Sequence, residues 1–158
     1  MFPKSKAMAH TKSGAAFTAL VLEVFRFHGR LLVAGDRLGK PLGLTSARWQ
    51  VLGAVEQQPL PVAQIGRNMG LARQSVQRVA DALEGDGLIR YEPNPDHKRA
   101  KLVCLTEAGR KAAKRIGNLQ VEWANGISSD VSAEEISMAV ALIRKLSQRI
   151  HCRGDEMF

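Results

Sequence analysis

Two glycine breaks, Gly70 and Gly85-Asp86-Gly87, fence off one short segment and constrain everything around it. Glycine readily takes the left-handed conformation that ends a helix, so a single short helix fits between the breaks. Over Ala72–Glu84 and the residue before it, Leu71, Val76, Val79, Ala80 and Leu83 recur near three- and four-residue spacing, which predicts one buried stripe. Arg73, Gln74, Gln77 and Arg78 take the other side, and a core needs none of them. A short helix displaying Arg and Gln outward suits the major groove of DNA. There Arg bonds bidentately to guanine and Gln to adenine.

The residues after the second break predict two strands, Leu88-Ile89-Arg90-Tyr91-Glu92 and Lys101-Leu102-Val103-Cys104-Leu105. Between them, Pro93 to Arg99 begins with turn formers and ends with His97-Lys98-Arg99. Alone, such a tip reads as an ordinary solvated hairpin. Directly after a helix of this kind it reads as a wing, with Lys98 and Arg99 placed for phosphates or a minor groove. Upstream, Val62–Met69 predicts a short helix with Ile65 and Met69 inward and Gly70 at its end. Two short helices joined by a glycine-containing turn form a helix-turn-helix. Before them, Thr45 caps a helix with Trp49, Val51, Leu52 and Val55 on its buried side. It stops near Gln57-Gln58 because Pro59 and Pro61 interrupt it, and Leu60 is left as a short strand-like segment.

Long amphipathic helices flank this module. From Ser13 to Leu38, Phe17, Leu20, Val21, Val24, Phe27, Leu31 and Leu32 keep helical spacing, with His28 packed among them. Thr106 caps a second long helix striped by Ala108, Ala112, Ile116, Leu119, Trp123 and Ile127. Ser132 caps a last one, with Glu134 and Glu135 in a first turn where negative charge suits the helix dipole, and Ile136, Val140, Ile143, Leu146 and Ile150 as its stripe. These stripes exceed what a small winged module needs, and a second copy of the chain is the simplest cover for them. The expected fold is mainly α with a small β-hairpin wing. A winged helix-turn-helix DNA-binding domain spans 41–105, helical dimerisation segments span 13–40 and 106–158, and a flexible basic tail covers 1–12.

Charge supports this reading by placement rather than amount. The formal net charge of +8 favours polyanionic partners. Within 61–100, however, Arg67, Arg73, Arg78, Arg90, Lys98 and Arg99 are nearly balanced by Asp81, Glu84, Asp86, Glu92 and Asp96. Much of the excess lies in the N-terminal tail and around Arg110, Lys111, Lys114 and Arg115. Two cysteines make no disulfide framework. Cys104 reads as a small core residue, while Cys152, beside His151 and Arg153, has the cationic neighbours that make a thiol reactive. No apolar run approaches the roughly 18–20 residues of a membrane span, and the N-terminus lacks the apolar segment of a secretory signal, so a soluble cytoplasmic chain is expected. There is no Gly-rich phosphate loop, His-Glu-x-x-His, nucleophile elbow or pair of carboxylates on a shared apolar face, and His10, His28, His97 and His151 are scattered. No enzymatic activity, cofactor or metal site is expected.

In chain order, Leu44-Thr45, Gly70-Leu71, Gln74-Ser75-Val76, Leu83-Glu84, Gly87-Leu88-Ile89, Pro95-Asp96, Lys98-Arg99-Ala100 and Leu105-Thr106-Glu107-Ala108-Gly109 resemble the MarR family of bacterial transcriptional regulators. The resemblance covers nearly the whole chain, and its specificity lies in the ordered set. It implies an obligate homodimer of triangular outline, joined through its terminal helices and bound to pseudo-palindromic operators in double-stranded DNA, with repression as the default output. Many members are released by small aromatic or phenolic ligands, and some by oxidation of a cysteine. On this pattern Arg73, Gln74, Gln77 and Arg78 read bases or anchor phosphates, Ser75 adds a hydroxyl contact, and Lys98 and Arg99 reach the flanking minor groove.

Three departures stand out. Ala72 occupies the position where the family has a Ser or Thr helix cap. His97 directly precedes Lys98-Arg99, with the acidic residue, Asp96, one place earlier. No cysteine lies near the start of the first helix, as it does in peroxide-sensing members. The competing reading is a winged-helix protein-interaction module without specific DNA binding.

Overall fold

The computed structural model describes residues 9–97 and 99–157, with 151–157 by backbone alone. Residues 1–8 of the expected tail, the wing residue Lys98, and the side chains of His151 and Cys152 lie outside the described residues. The chain forms two units, 1–117 and 118–158.

In the first unit, α1 (Lys12–Gly39) starts where the Thr11 hydroxyl accepts the Gly14 N–H at 3.0 Å. At its other end, Asp36 accepts the Ser46 N–H at 2.6 Å and the Trp49 indole donates to the Gly35 carbonyl at 3.1 Å. These bonds seat α1 on α2 (Ser46–Ala54), which Thr45 caps, as expected, by accepting the Arg48 N–H. α2 stops at Ala54, short of Gln57-Gln58. Val55 leaves helical geometry while its side chain stays in the core, so the turn precedes the prolines.

Next come α3 (Val62–Met69) and α4 (Arg73–Gly85). Gly70 between them has φ +65°, a conformation that side-chain-bearing residues avoid, and the Leu71 N–H returns to the Gly66 carbonyl at 2.9 Å. Val76, Ala80 and Leu83 form the buried side of α4, and Val79 packs at its margin. Leu71 does not join them: it is 41% exposed. It lies in the turn, and Ala72 after it is extended, so helical spacing does not reach back that far.

The wing strands β2 (Ile89–Glu92) and β3 (Leu102–Leu105) pair antiparallel, with Ile89 opposite Leu105 and Glu92 opposite Leu102. On the far side of β3, β1 (Leu60–Pro61) adds a third antiparallel strand, giving the order β1-β3-β2. Pro61 is tolerated because β1 is an edge. Leu52, Ile65, Leu83, Ile89 and Val103 meet beneath the sheet as the centre of the core.

α5 (Glu107–Ile127) begins at Thr106, whose hydroxyl accepts the Gly109 N–H at 3.0 Å and donates to the Gly87 carbonyl at 2.7 Å. The buried positions of its first turns are Gly109, Ala113 and Ile116, whereas Ala108, expected in the stripe, is exposed. The cause is local. A Cβ on Gly109 would collide with the Leu88 backbone carbonyl, so the helix turns its glycine to the wing, and Gly109 and Ala113 are buried in place of Ala108 and Ala112 before the stripe resumes as expected at Ile116.

The second unit holds the rest of α5 and α6 (Ala133–Met157). Ser132 and Glu135 close a capping box: Ser132 Oγ accepts the Glu135 N–H at 3.2 Å, and the Glu135 carboxylate accepts the Ser132 N–H at 3.0 Å. The Ser132 hydroxyl, which donates to the Glu135 carboxylate at 2.8 Å, and the Ser132 N–H hold the Glu135 carboxyl below its ordinary range. The predicted stripe of α6 is present but uncovered, with Ile136, Val140, Ile143 and Ile150 all at least 41% exposed. On α1, Phe17, Val24 and Phe27 are likewise exposed. No described helix is long and apolar enough to cross a membrane.

Candidate nucleic-acid interface

The geometry of α4 sorts the predicted reading residues into two sets. With Val76, Ala80 and Leu83 buried, helical periodicity places Gln74 and Arg78 diametrically opposite, on the outermost line, with Ser75 also exposed. Arg73 and Gln77 lie one turn apart on the flank that faces the wing. An open groove of about 850 Å³ runs along this flank, and Arg67 of α3, Arg73 and Gln77 of α4, Tyr91 of β2, and His97 and Arg99 of the wing loop line it. Lys101 is also in its wall, so among the described residues the cations Arg67, Arg73, Arg99 and Lys101 meet a single lining carboxylate, Glu84. Such a surface accepts an anionic chain. Among the described residues no cluster of three or more His, Cys, Asp or Glu side chains could hold a metal ion.

Two tethers fix α4. Arg48 of α2 forms an ion pair with Asp86 just past the end of α4. Tyr91 reaches from β2 to the middle of α4, where its hydroxyl donates to Asp81 at 2.8 Å and accepts from Gln77 Nε2 at 2.8 Å. The same nitrogen donates to Asp81 at 2.7 Å. Burial first, then the Asp81 carboxylate, push the Tyr91 hydroxyl well above the ordinary tyrosine range, so it stays protonated and keeps donating.

A family model described as the MarR family matches residues 42–100. An uncharacterized protein of Mycobacterium tuberculosis is 35% identical over 127 residues, which are 80% of this chain and 89% of that relative. An uncharacterized protein of Mycobacterium bovis matches to the same extent. The chain belongs to the MarR family.

Solved structures share its fold. The transcriptional regulator BldR from Sulfolobus solfataricus superposes with a TM-score of 0.74 at 21% identity, over 88% of this chain and 99% of that one. A MarR family transcriptional regulator from Listeria monocytogenes, solved with a 26mer DNA, gives 0.74 at 21% identity over 82% and 87%. Wild-type MarR from E. coli gives 0.63 at 23% identity over 82% and 95%. These MarR-fold neighbours are transcriptional regulators rather than enzymes.

Within this MarR fold, Ala72 has the extended backbone of a helix cap (φ −62°, ψ 136°) but offers no side-chain bond to the first turn of α4. Ala72→Ser supplies the missing acceptor. The substitution is expected to raise stability by about 0.5–1 kcal/mol, read as a shifted urea midpoint at constant slope.

The wing of this MarR-family chain is organised by His97 rather than by an Asp–Arg pair. Asn94 Oδ1 accepts the Asp96 N–H at 3.0 Å, and His97 Nδ1 accepts the Arg99 N–H at 3.3 Å. Among the described residues Asp96 forms no ion pair with Arg99, whose guanidinium is left for the groove. At the base of the wing Arg90 and Glu92 pair at 2.6 Å, and Arg90 holds the Glu92 carboxyl below its ordinary range. Cys104 is 4% exposed, and burial pushes its thiol up, as suits an inert core residue.

Sequence reasoning missed Arg67, Asn94, Tyr91 and Asp81. The alternation of β2 carries a signal for Tyr91, since Ile89 is buried and a residue two places on shares its face toward α4.

Proposed function

We propose that this chain is a sequence-specific DNA-binding transcriptional regulator, a repressor that acts as a homodimer on a pseudo-palindromic operator. The observation that carries the reading is the cationic groove between α4 and the wing, with Gln74 and Arg78 outermost on the same helix. A DNA-bound MarR-family neighbour of the same fold supports it. In this reading residues 41–105 form the DNA-binding domain, and 13–40 with 106–158 form the dimerisation region.

The two copies of α4 in a two-fold dimer enter successive major grooves about 34–36 Å apart, one turn of DNA. Arg73, Gln74, Gln77 and Arg78 read bases or anchor phosphates there, Ser75 adds a hydroxyl contact, and Lys98 and Arg99 reach the flanking minor groove. Release by a small aromatic or phenolic ligand, the family habit, requires only that the ligand favour a different spacing of the two reading heads.

Binding measured against salt, with specific and random duplexes in competition, tests this reading. A regulator keeps its preference for one site as salt rises, whereas a protein-interaction module with a basic surface loses all duplexes together. Arg99→Ala is expected to flatten the plot of log affinity against log salt by about one unit, the yield of one phosphate contact. An unaltered slope would mean that the wing tip is merely solvated.

A further inference from the structure

We infer that Tyr91 and Asp81 are positioning residues that set the base preference of α4 by locking Gln77 as an acceptor-only reader. The inference rests on the DNA-binding reading above and specifies the chemistry of one position within it.

A free glutamine side chain offers two N–H donors on its nitrogen and an acceptor oxygen, the set that reads adenine bidentately. Gln77 is not free. Its Nε2 donates to Asp81 Oδ1 at 2.7 Å and to the Tyr91 hydroxyl at 2.8 Å, which turns the amino group onto this pair. The orientation of the amide follows from chemistry. The Asp81 carboxylate has only lone pairs to offer, so the atom facing it must be the nitrogen. Tyr91 spends its one proton on the same carboxylate at 2.8 Å, so it too can only accept from Gln77. Each of the three groups thus fixes the other two.

What remains of Gln77 for a ligand in the groove is Oε1, which has no partner among the described residues. An acceptor alone recognises an exocyclic amino group, on cytosine N4 or adenine N6, and cannot add the second bond that singles out adenine. Every Watson–Crick pair presents one amino group in the major groove, so the acceptor selects a strand: on the strand that Gln77 faces, cytosine and adenine should be nearly equivalent and both preferred over guanine and thymine. Gln74, on the outermost line, keeps its full set. The Tyr91 hydroxyl is spent on Asp81 and Gln77, so its influence on sequence passes through Gln77.

Two measurements test the inference. In the DNA-free protein, nuclear magnetic resonance should show the side-chain amide protons of Gln77 exchanging with water about tenfold more slowly than those of Gln74, the effect of a satisfied hydrogen bond. Tyr91→Phe, which keeps the ring, should remove part of that difference, since Asp81 still accepts from the nitrogen. Equal exchange at Gln77 and Gln74 in the wild-type protein overturns the lock. In the second, sites are selected from random DNA in parallel with wild type, Tyr91→Phe and Gln77→Ala. Gln77→Ala should erase the preference at one operator position. Tyr91→Phe should change the same position toward adenine by about tenfold, with unchanged affinity for nonspecific DNA and an unchanged salt slope. Identical preferences for wild type and Tyr91→Phe, on an enriched site, overturn the inference alone. Failure of the wild type to enrich any site overturns both it and the DNA-binding reading.

Discussion

Arg73→Ala and Arg78→Ala are each expected to weaken operator binding about 10- to 100-fold and leave the fold intact. Both residues are exposed on α4, and neither side chain takes part in a hydrogen bond or ion pair among the described residues. Alanine is the best helix former, and removal of a cation from the first turn, where Arg73 sits, relieves a small conflict with the helix dipole. Stability should therefore stay within about 0.5 kcal/mol of wild type, or rise slightly. The loss in binding comes from the DNA side, where a bidentate contact to guanine is worth about 1–3 kcal/mol. The two substitutions should also differ in kind. Arg78, on the outermost line, should change base preference, while Arg73, on the groove flank beside Arg67 and Arg99, should change salt dependence more. A gel-shift titration in which both variants keep full affinity would remove α4 as the reading helix.

A larger effect is expected from a charge placed on the uncovered apolar helices. Phe27 on α1 is 57% exposed and Ile143 on α6 is 46% exposed. Exposed apolar stripes of this extent on long helices mark contact surfaces. In an isolated chain, Phe27→Glu or Ile143→Glu costs little, since neither side chain is in the core. In a dimer joined through these helices, each places an unpaired carboxylate in an apolar interface, at a cost of several kcal/mol. Operator binding then loses the advantage of two linked reading heads, about 10²- to 10⁴-fold in apparent affinity. Sedimentation at micromolar concentration should show wild type as a dimer and the variants as monomers with unchanged helical content. Variants that remain dimeric, with undiminished operator affinity, would exclude these faces as the dimer interface.

Much of this architecture is legible in the sequence because it is punctuated locally. Gly70 and Gly87 end their helices in left-handed conformations, and Thr45, Thr106 and Ser132 cap theirs. Those are signals of a few adjacent residues. What escaped was set over longer range. The pairing of Leu60 with Val103 joins a two-residue strand to a partner far along the chain, and two residues carry no periodicity. The phase of α5 depends on how closely Gly109 approaches Leu88, so spacing alone misplaced Ala108. The outward placement of Arg73, Gln74, Ser75 and Arg78 on α4 could be read from helix period. The engagement of Gln77 could not, because its partners, Asp81 and Tyr91, lie on two different elements and meet only once the sheet is built.

Selection of bound sites from random duplex DNA tests sequence-specific recognition most directly. A dimeric regulator should enrich one pseudo-palindrome whose half-sites lie about 10 base pairs apart, centre to centre. Enrichment of no sequence, with all duplexes bound equally and released together by salt, would contradict it.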